Sequence, residues 1–135
     1  MDAAPAGAVS ISALSPDDAA GGVAKDEVVV TETPYGSVEA VHVGADLEAW
    51  WILKDDEQIE PGPAVMDRDD LIYVAEGTLR LEIERREPVV LEAGDVFVIP
   101  AGMRFRGYRW PRDGEPCRFL AVAPAGASFT RLSAL

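Results

Sequence analysis

Residues 69–102 read DDLIYVAEGTLRLEIERREPVVLEAGDVFVIPAG, and their punctuation decides the fold. Leu79, Leu81 and Ile83 alternate with Arg80, Glu82 and Glu84, so one face of this strand lies on a core and the other meets water. Gly77, Pro88, Gly94, Pro100 and Gly102 cut the stretch into runs of strand length, too short for a helix of several turns. The same texture extends both ways from residue 28, through EVVVTET, SVEAVHVG and LEAWWILK before the stretch and MRFRGYRW and CRFLAVAPA after it. With DLIYVAEG, TLRLEIE, PVVLEAG and DVFVIPAG these make nine closely spaced runs, which predict an all-β sandwich or barrel with no long helix.

At 135 residues the chain fits one domain. Asp and Glu number 24 against 12 Lys and Arg, giving a net charge of -12, which repels nucleic-acid phosphates and anionic membrane surfaces. No apolar run approaches the about 18 residues a membrane span needs, and MDAAPAGAVS lacks the basic start of a secretory leader, so a soluble cytoplasmic protein is expected. The single cysteine, Cys117, excludes an internal disulfide and reads as a small buried residue rather than a reactive thiol.

Residues 1–27 form an arm rich in small residues and poor in core formers. Inside it VSISAL alternates like a short edge strand able to add to a partner's sheet. SPDDAAGG has the marks of a short helix, with Ser15 as cap, Pro16 at the first position and a Gly21-Gly22 stop. The β domain covers residues 28–135.

The glycine and proline skeleton from Gly62 to Arg109 resembles the cupin superfamily. Gly77 closes the first cupin motif, and Asp70 stands where the family carries glutamate. In GDVFVIPAG, Gly94, Pro100 and Gly102 fit the spacing of the second motif. The resemblance implies a jelly-roll-like β-barrel with a small-molecule site inside it, and dimers that pack sheet to sheet.

The ligand positions depart from the pattern. The histidines of the first motif fall on Ala64 and Met66, or on Pro63 and Val65 with longer spacing, and the later histidine and asparagine fall on Phe105 and Arg109. A catalytic divalent metal needs about three donors from His, carboxylate or thiolate, and only Asp70 of this set qualifies, so neither metal nor cofactor is expected. The pattern looks most like the ethanolamine-utilisation EutQ-type cupins, a group that also lacks the histidines. That likeness implies acetate kinase activity or a role in a bacterial microcompartment. No Gly-rich phosphate loop supports nucleotide use independently.

Alternation from an inward Asp70 turns Ile72 and Val74 inward as well, and places Met103, Phe105, Gly107 and Arg109 on one face. The expected ligand wall is Trp51, Ala64, Met66, Ile72, Met103 and Phe105, with Arg109 as a polar member. Trp50 and Trp51 are adjacent, so one faces in and the other out; Trp51 stands as the candidate, although alternation does not choose between them. Asp70 is the candidate acid or base. His42, whose face is left open by alternation, and Tyr73 or Tyr35 are its candidate helpers. Arg104, Arg106, Arg109 and Arg112 read either as surface ion pairs or as an anion site at the barrel mouth.

The expectation is a metal-independent isomerase, cyclase, lyase or dehydratase acting on a small organic molecule. A non-catalytic sensor or scaffold subunit is the rival, because this fold hosts many functions.

Overall fold

The computed structural model describes residues 30–131. The arm at residues 1–27, with its expected strand and helix, lies outside them. Eleven strands follow in order: β1 (Val30–Thr33), β2 (Gly36–Val43), β3 (Leu47–Lys54), β4 (Ala64–Met66), β5 (Asp70–Glu76), β6 (Thr78–Ile83), β7 (Val89–Glu92), β8 (Val96–Ile99), β9 (Phe105–Arg109), β10 (Cys117–Pro124) and β11 (Phe129–Arg131). They form two antiparallel sheets, in the orders β1-β2-β3-β10-β5-β8 and β11-β4-β9-β6-β7, wrapped into the jelly-roll architecture of an all-β protein. All nine runs read from the sequence are strands. The two that escaped, β4 and β11, are three residues each, too short to show alternation, and they pair with one another.

The core lies between the sheets. Leu79, Leu81 and Ile83 of β6 are buried against Ile72, Val74, Ile99 and Phe119 of the opposite sheet, while Arg80 and Glu82 alternate outward. Cys117 is fully buried here, and burial pushes its thiol up to about 12, so it packs as a small apolar group.

Two turns position the site. Gly77 carries the chain from one sheet to the other at a φ of 74°, and a Cβ there would sit 2.3 Å from the Pro116 carbonyl oxygen, so both conformation and space demand glycine. The Pro100–Gly102 turn is hooked to the head of β5, because the Ala101 N–H donates to Asp69 Oδ1 at 2.9 Å and the Gly102 N–H donates to the Met66 carbonyl at 2.8 Å. These bonds fix where β5 begins, and its first residue is Asp70.

Candidate functional site

Asp70, Ile72 and Val74 are buried on the inner face of β5, and Leu71, Tyr73 and Ala75 turn outward. On β3 the inner residues are Glu48, Trp50, Ile52 and Lys54. Together with Phe105 and Gly107 of β9 and Phe119, Ala121 and Ala123 of β10 they surround a cavity of about 550 Å³, the size of a drug-sized ligand site. Its wall is mostly apolar, and Met66, Ile99 and Phe129 complete it at the Asp70 end.

The polar groups divide between two ends. Leu71 lies opposite Val122, and Ala123 lies opposite Glu48, so Asp70 and Glu48 share one end. Lys54 lies opposite Cys117, six residues farther along β3, which is roughly 20 Å of extended strand. At that end Lys54 Nζ donates to Glu60 Oε2 at 2.5 Å, and both side chains are largely buried. Tyr35, Thr33 and Ser37, from the β1–β2 hairpin, line the same end. The loop bearing Glu60 is pinned by two arginines: Arg106 donates to the Glu60 carbonyl at 2.8 Å, and Arg112 to the Glu57 carbonyl at 2.9 Å.

Asp70 differs from these groups in having no charge partner among the described residues. It is 7% exposed, and burial alone raises its carboxyl from 3.8 to about 6. A carboxyl desolvated to that degree exchanges a proton near neutral pH, the property wanted in a general acid or base.

The other expected residues are dispersed. Met66, Ile72 and Phe105 line the cavity with Asp70. Ala64 is fully buried opposite Phe105 but behind the lining, and Met103 packs on the core. Trp50, not Trp51, is the cavity tryptophan: Trp51 faces the outside of its sheet, with the Arg118 guanidinium stacked 3.9 Å from its ring centre. His42 is turned outward by a bulge. The register slips between Ala40 and His42, setting His42 opposite Ala49 on the outer face although strict alternation would align it with Ala40. Tyr73, opposite Val96 and Leu120, is also outside, so neither His42 nor Tyr73 meets Asp70.

The arginines do not form an anion site. Arg109 donates to the Arg112 and Gly114 carbonyls, and Arg106 grips Glu82 through Nε and Nη2. Arg104 is exposed. Glu82 also accepts the Tyr108 O–H at 2.6 Å. Burial would raise that carboxylate, but the bonds from Tyr108 and Arg106 hold it below its ordinary range. Tyr108 is thereby buried under side chains of its own sheet, and Arg80 covers Trp110 at 4.4 Å from the ring centre. Trp110 nevertheless stays 37% exposed.

Sequence reasoning missed Lys54, Glu60 and Phe119. LEAWWILK did hold the signal for Lys54, since an inward Trp50 carries Glu48, Ile52 and Lys54 to the same face. No local pattern marks Glu60, which reaches the cavity from a loop.

The family model of the Cupin domain matches residues 56–123, just over half of the chain. The chain belongs to the cupin family. Solved cupin structures share its fold. KdgF from Halomonas sp. is 24% identical, with a TM-score of 0.59 over 76% of this chain and 92% of that one. The polyketide cyclase RemF from Streptomyces resistomycificus is 20% identical, with a TM-score of 0.65 over 82% and 83%. Oxalate decarboxylase from Lactobacillus farciminis is 19% identical with a TM-score of 0.65, and this cupin spans 34% of that chain. No curated protein matches the sequence.

The family's usual metal does not fit the donors of this cupin. Among the described residues no three His, Cys, Asp or Glu side chains stand together as a metal group, and the motif positions hold Ala64, Met66 and Phe105. Among the described residues, too, no helix is long and apolar enough to cross a membrane.

Proposed function

We propose that this cupin binds a small, largely apolar organic molecule in its barrel and works on it by acid–base chemistry at Asp70, with no metal held by the barrel. The observation that carries the reading is a buried carboxyl on a mostly apolar cavity wall, with no cation beside it among the described residues, raised by burial to about 6. As a carboxylate Asp70 takes a proton from a C–H or O–H of the bound molecule. As the neutral acid it returns that proton to another atom, which closes an isomerisation, cyclisation, elimination or dehydration with no other reagent. Tyr35 lines the Lys54 end of the cavity, away from Asp70, and His42 and Tyr73 face outward, so none of the three takes part.

The EutQ-type likeness would add acetate kinase activity. A cavity whose described cations already hold protein acceptors suits a triphosphate poorly, so acid–base work is the preferred reading. We place the protein in the cytoplasm, where a single thiol such as Cys117 stays reduced.

Three measurements test the function. Metal analysis of purified protein is expected to give far less than one iron, zinc or manganese per chain, and a stoichiometric metal sinks the metal-free reading. A thermal-shift screen of small acids, sugars, nucleotides and ring compounds is expected to single out apolar ring compounds, and stabilisation by ATP with acetate favours the kinase instead. With a turned-over compound in hand, Asp70→Asn should lower the rate about 10²- to 10⁴-fold in a folded barrel. Ligand binding with no turnover in either protein favours the sensor reading.

We further propose that two copies pair through the outer face of the six-stranded sheet. Two cross-strand rows there, Val98–Leu71–Val122 and Val96–Tyr73–Leu120, carry the exposed apolar side chains of this face, with Val96 57% exposed, Val98 45% and Leu71 37%. Val96→Glu should convert a dimer to a monomer in sedimentation without changing the circular dichroism. A wild-type monomer at micromolar concentration overturns the pairing.

A further inference from the structure

We infer that the molecule held in the barrel is uncharged and flat, a conjugated ring system whose carbonyl or hydroxyl oxygen meets Lys54. The inference rests on the cavity being the ligand site, as proposed above, and is independent of whether Asp70 is catalytic.

Shape comes first. Ala121 lies in register between Trp50 and Ile72, and Ala123 lies opposite Glu48, so β10 contributes a strip of small side chains. On the other sheet Gly107 faces inward, where a Cβ would already approach Leu81 Cδ2 at 3.0 Å. Between these low strips the rings of Trp50, Phe105 and Phe119 stand at the wall. Small residues on facing sheets with aromatic rings beside them leave room for a flat ring and offer it ring contacts.

Charge decides the rest. The two described cations in the lining are already committed: Lys54 to Glu60, and Arg106 to Glu82 and the Glu60 carbonyl. The opposite end carries Asp70 and Glu48, and among the described residues Glu48 receives the Gly126 N–H, at 3.2 Å. A carboxylate or phosphate drawn in would lose its water, meet two acidic side chains and find no uncommitted cation among the described residues. An organic cation would find the acidic end, but it would have to shed its water on a mostly apolar wall. A neutral molecule avoids both costs. Lysine carries three N–H donors and Glu60 Oε2 takes one, so the pair, with no net charge, can donate to an oxygen of the ligand.

Titration calorimetry at neutral pH with naphthol, naphthalene, naphthoate and naphthylmethylammonium tests this. Naphthol is expected to bind tightest. Naphthalene, lacking the oxygen, should bind about tenfold more weakly, and the two ions weaker than naphthol by at least about tenfold. In the double variant Lys54→Met with Glu60→Met, which removes both charges together, naphthol and naphthalene should bind alike. Either ion binding as tightly as naphthol overturns the uncharged class, and no binding of any of the four overturns the flat-ring class. A naphthol preference that survives in the double variant overturns the role of Lys54. Binding order is read without turnover. If the order holds while Asp70→Asn leaves turnover intact, the ligand class stands and the acid–base reading falls. If the order fails while Asp70→Asn abolishes turnover, the acid–base reading stands and the ligand class falls.

Discussion

Glu60 and Asp70 are the two buried carboxyls of the described residues, 6% and 7% exposed, and both line the same cavity. Their surroundings separate them. Glu60 comes from a loop, takes the ammonium of Lys54 at 2.5 Å and has its own carbonyl held by Arg106. Asp70 comes from a strand between apolar neighbours, Ile72 on its own strand and Ile99 across the ladder, and is raised by burial with no cation beside it among the described residues. Equal burial thus gives two different groups: a paired carboxylate that anchors a loop, and a lone one left to exchange its proton. What distinguishes a structural carboxyl from a reactive one here is the partner, not the depth.

The largest effect expected from breaking this contrast is on Glu60. Lys54→Met leaves a buried carboxylate without its cation and should cost about 3–5 kcal/mol in denaturant unfolding. Removing Glu60 as well should restore most of that loss, because a pair replaced by apolar groups of similar volume is often near neutral. If Lys54→Met costs under about 1 kcal/mol, Glu60 is not anchored through this pair and the contrast with Asp70 fails.

The next effect lies with Asp70 and depends on pH. A carboxyl raised in the folded state binds its proton more tightly there than in the unfolded chain, so stability falls as pH rises between the unfolded value of 3.8 and the folded value of about 6. Below that window both states are protonated and nothing is lost; above it the loss is complete, at most ~3 kcal/mol. Asp70→Asn removes the dependence. Wild type and variant should therefore converge at low pH, apart from a constant offset, and the variant should gain on the wild type by up to ~3 kcal/mol by pH 7. Parallel pH profiles would show that Asp70 titrates normally and is not the reactive carboxyl.

The fold was open to sequence reading because its devices are local. Period-two alternation marked TLRLEIE, and Gly77 and Gly102 stand where the chain takes positive φ. Asp70, Met66 and Phe105 could be placed because they occupy the motif positions of the family that the sequence resembles, and Ile72 because alternation propagates from an inward Asp70. What escaped depends on contacts between distant parts of the chain. Trp51 is outward by its register opposite Leu120, from a strand 69 positions later, and nothing in AWWI favours one tryptophan over the other. His42 was undecidable because a single-residue bulge reverses every face beyond it. Glu60 reads as one more acid in DDEQIEPG until Lys54 and Arg106 close on its loop. The clustered arginines suggest an anion site only while the main-chain acceptors of Arg106, Arg109 and Arg112 are unknown.

The smallest effect sharpens the cause of Asp70's isolation. Asp69 is exposed and accepts the Ala101 N–H, so Asp69→Ala should cost about 0.5–1 kcal/mol, the worth of one solvent-accessible hydrogen bond at a turn. It also removes a negative charge next to Asp70, which separates two explanations of the raised carboxyl. Desolvation acts from the cavity side and does not depend on Asp69. Like-charge repulsion would come from Asp69 itself and would be screened by salt. Because burial accounts for the shift, the Asp70 midpoint followed by carbon NMR should stay near 6 in Asp69→Ala and in added salt. A midpoint that falls toward the ordinary carboxylate range in either case would trace the shift to its charged neighbour. Asp70 would then be an acid crowded at a turn, and not one set apart by the barrel.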